Sequence, residues 1–238
     1  MPRFYVPFPD AEAGKPIVLP SESVHHAMRV LRLRQDDKVE VFNGRGLCAK
    51  GPIHFAADYA EVVPEEIKQS ERGLRLILLQ SLVSNEKMDW IVEKACELGY
   101  SKIVVFPADR SEIRLTSEKA AKRLERWNKI AVSACKQCGE DFLPEIVFKS
   151  SLKSAAEEAE GLRIMLSPSA QTHSEDEEIR AVTFAVGPEG GFSDGEMNTL
   201  LGAGFTGKRL GARVLRTETA ATAAASYAQT LWGDFNYP

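Results

Sequence analysis

The chain has 238 residues, 44% hydrophobic and 27% charged, with a net charge of −4. These proportions suit a soluble globular protein of one large or two small domains, whose core needs no disulfide or metal staple. They exclude a membrane-spanning chain, because no apolar run reaches spanning length, and a surface that is basic throughout.

The first residues, Met1–Asp10, lack a charged stretch followed by an apolar core, so no signal peptide is expected and a cytoplasmic protein follows. Residues 1–70 read as β-rich. Ile17-Val18-Leu19 is apolar. Ser21 or Ser23 is placed to cap a short helix through His25, His26, Met28, Val30 and Leu31. Asp36-Asp37 turns into Lys38–Phe42, which alternates as a strand does, and Asn43-Gly44 signals a hairpin. Tyr59–Val63 is a further strand, and short strands with tight turns suggest a small barrel. Ser23–Gly51 carries six basic and three acidic residues, so a basic patch sits on an acidic body. Arg29, Arg32 and Arg34 in it suit phosphate contacts; solvated charges are the competing reading.

Pro64–Gly73 reads as a polar linker, after which residues 74–238 follow a different pattern. Leu76–Leu79 and Ile103–Phe106 are buried parallel strands, and Lys87–Leu98 between them is a helix stopped by Gly99. Asp109-Arg110-Ser111 is a loop after the second strand. Thr116 or Ser117 caps a long helix to about Gly139. Cys135 and Cys138 have C-x-x-C spacing, yet they close a helix and no second pair accompanies them, so packing is expected rather than redox or zinc chemistry. Ile146–Phe148 and Leu162–Leu166 supply more strands, with an Ala/Glu-rich helix between them. His173–Glu178 is an acidic, solvated loop.

The most informative stretch is Val182–Ala225. Val182–Val186 is a β-branched buried strand, and Gly187-Pro188-Glu189-Gly190-Gly191-Phe192 stops it with a turn that lets backbone approach a ligand. Ser193 and Glu196 have capping-box spacing. Lys208–Leu210 is a further strand, Gly211–Arg216 turns, and Thr217 caps a helix to about Trp232. Two loops thus leave strand ends and open helices, the place where open α/β sheets bind ligands. Neither is a P-loop or a dinucleotide fingerprint.

The pair Gly187–Phe192 and Leu210–Ala220 (Leu-Gly-Ala-Arg-Val-Leu-Arg-Thr-Glu-Thr-Ala) resembles the signature of the RsmE family, methyltransferases of the SPOUT superfamily that act on N3 of a uridine in 16S ribosomal RNA. His25–Arg34 resembles the family's N-terminal domain. Asp109-Arg110-Ser111 stands where the family has Glu-Arg-Ser, and Glu140 follows Gln137-Cys138-Gly139 where the family has arginine.

The resemblance implies an α/β fold: a PUA-like RNA-binding β-barrel over 1–70 and a trefoil-knotted SPOUT domain with a parallel sheet over 74–238. It implies S-adenosyl-L-methionine as methyl donor, no metal, 16S rRNA or the small ribosomal subunit as partner, and a homodimer through the Thr217–Leu231 helix. The donor would be held by Leu166 and Ser167, by Gly187, Pro188, Glu189, Gly190 and Gly191, and by Leu210, Gly211 and Leu215. Uracil N3 must lose its proton to attack, so cations beside the ring carbonyls are required. Arg213 and Arg216 are the candidates, with Arg110 second and otherwise an RNA contact. Glu218 or Glu189 would accept the proton or orient an arginine; a carboxylate at a helix N-terminus is the plainer account of Glu218. Two other readings fit the same residues: a SPOUT enzyme acting on another RNA, and a non-catalytic RNA-binding protein that keeps the fold.

Overall fold

Alternation in Lys38–Phe42 (β3) buries Val39 and Val41 completely and leaves Lys38 in solvent, the signature of a strand with one covered face. The computed structural model describes residues 1–168 and 179–236; His173–Glu178, expected as a solvated loop, lies outside the described residues. By density of contacts the chain forms two units, one of residues 1–72 with 135–143, the other of residues 73–134 with 144–238.

The first unit is a six-stranded, mainly antiparallel sheet. It is built from β1 (Arg3–Tyr5), β2 (Ile17–Val18), β3, β4 (Leu47–Phe55), β5 (Ala60–Val62) and β6 (Glu66–Gln69). Its order is β1-β3-β4-β5-β2, with β6 also on β4. Phe4, Ile17, Val39, Val41, Ile53 and Val62 fill its core. The β3–β4 hairpin turns at Asn43-Gly44, where the Asn43 Oδ1 accepts from the backbone of Arg45 and Leu47 at 2.8 and 3.1 Å. Arg3 ties residues 135–143 to this sheet. Its buried guanidinium bonds Glu40 at 2.5 Å, the carbonyls of Cys135 and Glu140 at 2.6 and 2.8 Å, and the Asp141 carboxylate. Each face of the buried charge therefore meets an acceptor, the condition under which burying it is tolerable. Glu40, Cys48 and Asp141 converge within 4.8 Å, and Arg3 already bonds both carboxylates. Burial and the hydrogen bond to Glu40 push the Cys48 thiol up to about 12.

The second unit is an all-parallel sheet of β7 (Arg75–Ser81), β8 (Tyr100–Phe106), β9 (Glu145–Phe148), β10 (Leu162–Leu166), β11 (Ala181–Val186) and β12 (Thr206–Lys208). Its order is β12-β10-β11-β7-β8-β9. Leu76, Ile77, Leu78 and Leu79 are all inaccessible, because helices cover both faces. α2 (Asn85–Glu97) and α6 (Thr217–Trp232) pack together on one side; α4 (Leu152–Ala156) and α5 (Asp194–Gly202) pack together and meet the core of the other. α3 (Ser117–Cys138) buries Ala120, Trp127, Ala131 and Ala134, and the Thr116 hydroxyl caps it at 3.4 Å. The chain runs outward from β7 to β9 and resumes on the far side at β10, so β7 and β11 flank a topological switch.

Several expectations need correction. Neither Ser21 nor Ser23 caps the first helix: Pro20 precedes α1 (Ser21–His25), with no side-chain cap, and a π-helical turn follows over His26–Val30. The polar stretch after Pro64 contains β6, which pairs with β4 through backbone alone while all four of its side chains stay exposed. The strand expected at Lys208–Leu210 is Thr206–Lys208. Thr217 is not a cap; Arg216 holds that position without a side-chain bond, and Thr217 has turned inward. Cys135 is a buried thiol that bonds the Phe142 carbonyl at 3.6 Å; Cys138, expected to pack, is instead exposed at the helix end, where its thiol bonds Cys135.

Candidate active site

β10, β11 and β12 lie side by side and point the same way, so the loops that leave them emerge together at one edge of the sheet. Between these loops lies a cavity of about 590 Å³, inside the second unit and within the range of small-molecule sites. Its floor is continuous with the core, since Phe192 belongs to both and Met197 packs on the same cluster.

The first loop brings Leu166 and Ser167 to the cavity, and the Ser167 N–H donates to the Lys208 carbonyl at 3.0 Å, joining it to the third. The second brings Gly187, Pro188, Glu189, Gly190 and Gly191. It turns at Gly191, whose φ of 69° suits glycine, and the Gly191 N–H closes on the Pro188 carbonyl at 2.8 Å. A Cβ at Gly187 would press on Phe192 N at 3.2 Å, so any larger residue there would make the turn give by a few tenths of an ångström. The third loop brings Leu210, Leu215, Arg213 and Arg216. It bends at Gly211 (φ 77°), which does not itself line the cavity, and Arg209 clasps the Gly211 and Ala212 carbonyls at 2.8 and 2.9 Å. Two buried side chains position the loops from behind. The Thr217 hydroxyl donates to the Gly187 carbonyl at 2.8 Å and accepts from Gln80 Nε2 at 3.1 Å.

The charges sit at the rim. Lys87, on the first turn of α2, donates to Glu189 at 2.5 Å. That bond raises the Lys87 ammonium above its usual range, with Glu218 adding to the rise and Arg216 opposing it, so these four groups share one field. Burial, the largest single effect, works upward on Glu189, but the Lys87 bond, a backbone hydrogen bond and the Lys87 charge together hold the carboxyl below its usual range. Arg110 lines the cavity and donates to the Gly190 carbonyl at 2.8 Å. Behind it, Asp109 accepts from the Ser193 hydroxyl at 2.5 Å and its N–H donates to Glu196, so the loop after β8 is sealed onto the capping box of α5. Glu218 does not line the cavity; it is half-buried, and its Oε2 has no hydrogen-bond partner among the described residues.

Sequence reading missed Lys87, Lys208, Phe192 and Val214 as cavity residues. Val214 is 78% exposed at the mouth, an apolar side chain with nothing yet to cover. Lys208 is buried beneath the cavity, 4.6 Å over the Tyr227 ring. Arg29, Arg32 and Arg34 belong to the first unit and are all exposed.

Among the described residues the lining holds no histidine or cysteine, one carboxylate and two hydroxyls. That set lacks a nucleophile–base pair and fits binding and alignment instead. Apolar walls from Leu166, Val186, Leu210 and Leu215, closed by glycine turns that present backbone polar groups, suit a flat ligand with polar edges.

A family model described as an RNA methyltransferase domain matches residues 70–229, and one described as an RNA methyltransferase PUA domain matches 19–51. The ribosomal RNA small subunit methyltransferase E of Buchnera aphidicola (from Acyrthosiphon pisum) is 29% identical over 99% of this chain and 95% of that protein. The crystal structure of a ribosomal RNA small subunit methyltransferase E from Neisseria gonorrhoeae, bound to S-adenosyl methionine, superposes with a TM-score of 0.90 and 34% identity, covering 99% of this chain and 100% of that one. A methyltransferase from Legionella pneumophila with bound SAM gives a TM-score of 0.87 at 32% identity, covering 96% of both chains.

Proposed function

The chain belongs to the ribosomal RNA small subunit methyltransferase E (RsmE) family, and on that premise we propose that it methylates N3 of a uridine in 16S rRNA. S-adenosylmethionine is the donor, supplying the methyl group as an electrophilic carbon on a sulfonium. The observation that carries the reading is the cavity at the carboxyl ends of β10, β11 and β12. Its size, apolar walls and glycine turns fit the adenosine of that donor. Leu166, Ser167, Gly187–Gly191, Leu210 and Leu215 would hold it, mainly through backbone groups, with Gly211 bending the third loop into place. We further assign a trefoil knot to these loops, on the strength of the motif resemblance and their convergence.

Uracil N3 carries a proton at neutral pH, and its lone pair becomes available only as that proton leaves. Arg213 and Arg216, at the rim, are the groups we assign to the negative charge that develops on the ring carbonyls. Glu189 is engaged by Lys87, so Glu218, with an unsatisfied carboxylate oxygen in the same field, is the better proton acceptor or arginine-orienting group.

We assign residues 1–70 to RNA holding, through Arg29, Arg32 and Arg34, and residues 74–238 to methyl transfer, with Arg110 at the RNA side of the cavity. A homodimer through α6 is part of the reading. Its outward Thr219, Thr222, Ala223 and Ser226 are small enough for close helix packing, and Leu231 is 45% exposed. A ribosomal RNA substrate places the work in the cytoplasm. Among the described residues no helix is long and apolar enough to cross a membrane.

The test is methyl transfer from labelled donor to small ribosomal subunits that lack their own modification, with nucleoside mass spectrometry of the product. A single 3-methyluridine supports the reading. A different methylated nucleoside makes the chain a SPOUT enzyme of another specificity. Tight donor binding without transfer to any ribosomal or transfer RNA leaves the non-catalytic alternative.

A further inference from the structure

The π-helical turn His26–Val30 is anchored from below and bare on top. Ala27 is fully buried, and Val24 and Leu33 pack on the β core. The base is pinned by the Leu33 N–H on the Ala27 carbonyl and the Leu31 N–H on the His26 carbonyl, both at 3.0 Å. Between these anchors Met28, Val30 and Leu31 are 52, 62 and 39% exposed. Arg29, Arg32 and Arg34 alternate with them in solvent, and no acidic residue occurs from Val24 to Gln35. Arg32 adopts φ 54°, a left-handed backbone that a non-glycine residue takes at a cost. A π turn, a left-handed arginine and three bare apolar side chains each lower stability.

We propose that this knuckle is a binding site for unpaired RNA, in which the arginines take phosphates and Met28, Val30 and Leu31 cover the face of an unstacked base. The chemistry favours RNA over a protein partner. Three exposed arginines, with the adjoining Asp37 carboxylate taken up by the Arg34 backbone N–H at 2.7 Å, match a polyanion, and apolar side chains set between cations match a strand that alternates phosphate with a flat apolar ring. A paired helix offers phosphates but keeps its base faces stacked, so the site discriminates single strand from duplex. This rests on the reading that RNA is the substrate, and it adds a requirement that RNA be unpaired at a second place besides the target uridine.

The experiment is fluorescence anisotropy of the full chain with a mixed-sequence single-stranded oligoribonucleotide and with a fully paired duplex of equal length, across a salt series. The variants are Met28→Ser/Val30→Ser/Leu31→Ser together and Arg29→Gln, Arg32→Gln and Arg34→Gln singly. The triple variant should bind single strand about tenfold more weakly, with an unchanged salt slope and unchanged duplex binding. Each arginine variant should flatten the single-strand slope by about 0.7. Arg32→Gly separates binding from folding, because it should lose affinity while its melting temperature holds or rises. Unchanged single-strand affinity in the triple variant, or equal duplex affinity in the wild type, overturns the proposal. So does a shift of the triple variant from dimer to monomer in sedimentation, which makes the patch a contact between copies. Methyl transfer is not the readout, so a protein that shows the binding split yet transfers no methyl group keeps this site and loses the proposed reaction.

Discussion

The Thr217 hydroxyl reaches the Gly187 carbonyl at 2.8 Å and joins the first residue of α6 to the last turn of β11. With Gln80 Nε2 on its other side, Thr217 spends both hydrogen-bonding roles on shaping the cavity wall. Thr217→Val keeps the shape, removes the bonds and leaves the part-buried Gly187 carbonyl and one N–H of buried Gln80 without the hydroxyl. We expect a loss of about 1–3 kcal/mol in stability and roughly tenfold weaker donor binding. Thr217→Ser should retain most of both. Calorimetric titration and urea unfolding of the two variants check it; equal effects would remove the hydroxyl from the account.

The Lys87–Glu189 pair holds the glycine turn from outside, and pH should reveal it. Glu189 has its folded pKa lowered, so its contribution is present above the unfolded carboxylate value and lost as pH falls through the folded one. Lys87 has its pKa raised, so its contribution is present below the unfolded lysine value and lost as pH rises through the folded one. The pair is therefore intact across the neutral range and fails in acid, below the usual carboxylate range. Lys87→Met should weaken donor binding by roughly two- to fivefold at neutral pH, as befits a partly exposed pair. It should also abolish the acid weakening seen in the wild type. Donor titrations at four pH values on both proteins decide this.

Arg213 and Arg216 line the cavity, whereas Glu218 stands behind it with an unsatisfied oxygen. If the arginines stabilise charge that appears only during reaction, Arg213→Gln and Arg216→Gln should lower kcat by about 10²-fold while donor affinity stays within a factor of a few. Glu218→Gln should lower kcat by about 10²-fold with donor affinity little changed. Single-turnover rates beside donor Kd values separate these outcomes. A parallel loss of Kd and kcat would make the arginines donor ligands instead.

Arg3 is 6% exposed in its side chain and is the counter-charge of two buried carboxylates. Lys50 and Lys68 approach the same groups only at 3.7 and 3.5 Å. Arg3→Met should cost about 3–5 kcal/mol, since it leaves buried Asp141 and half-buried Glu40 with only the more distant Lys68 and Lys50 as counter-charges. Cys48, held protonated by burial and Glu40, should be inert to alkylation at neutral pH in the wild type; Arg3 opposes that rise, so labelling of Arg3→Met would report opening of the unit and not a more acidic thiol. Denaturant unfolding and mass-resolved labelling read both effects.

The sequence was legible where local pattern and tertiary role agree. The buried runs of β7, β8 and β11, the capping box of Ser193 and Glu196, and the two glycine turns needed no partner to be read. It misled where a residue's partner is distant in the chain. Thr217 looks like a cap until Gly187, thirty positions earlier, claims its hydroxyl. β6 carries no apolar alternation, since only its backbone is used. Lys87 reads as one more exposed helix charge until Glu189, a hundred residues on, comes to meet it. The attachment of residues 135–143 depends on backbone carbonyls and one buried arginine, and carbonyls leave no mark in a sequence.

That attachment bears on how the protein is made. Arg3 is synthesised 138 residues ahead of Asp141, and β7 and β8 of the parallel sheet emerge between them. Until then the β unit holds a buried cation and the Glu40 carboxylate without the rest of their acceptors, so its folding is completed late and in step with its neighbour. A fragment ending at residue 72 inherits the same deficit, so a chain cut between the two sequence domains would release an unfinished sheet.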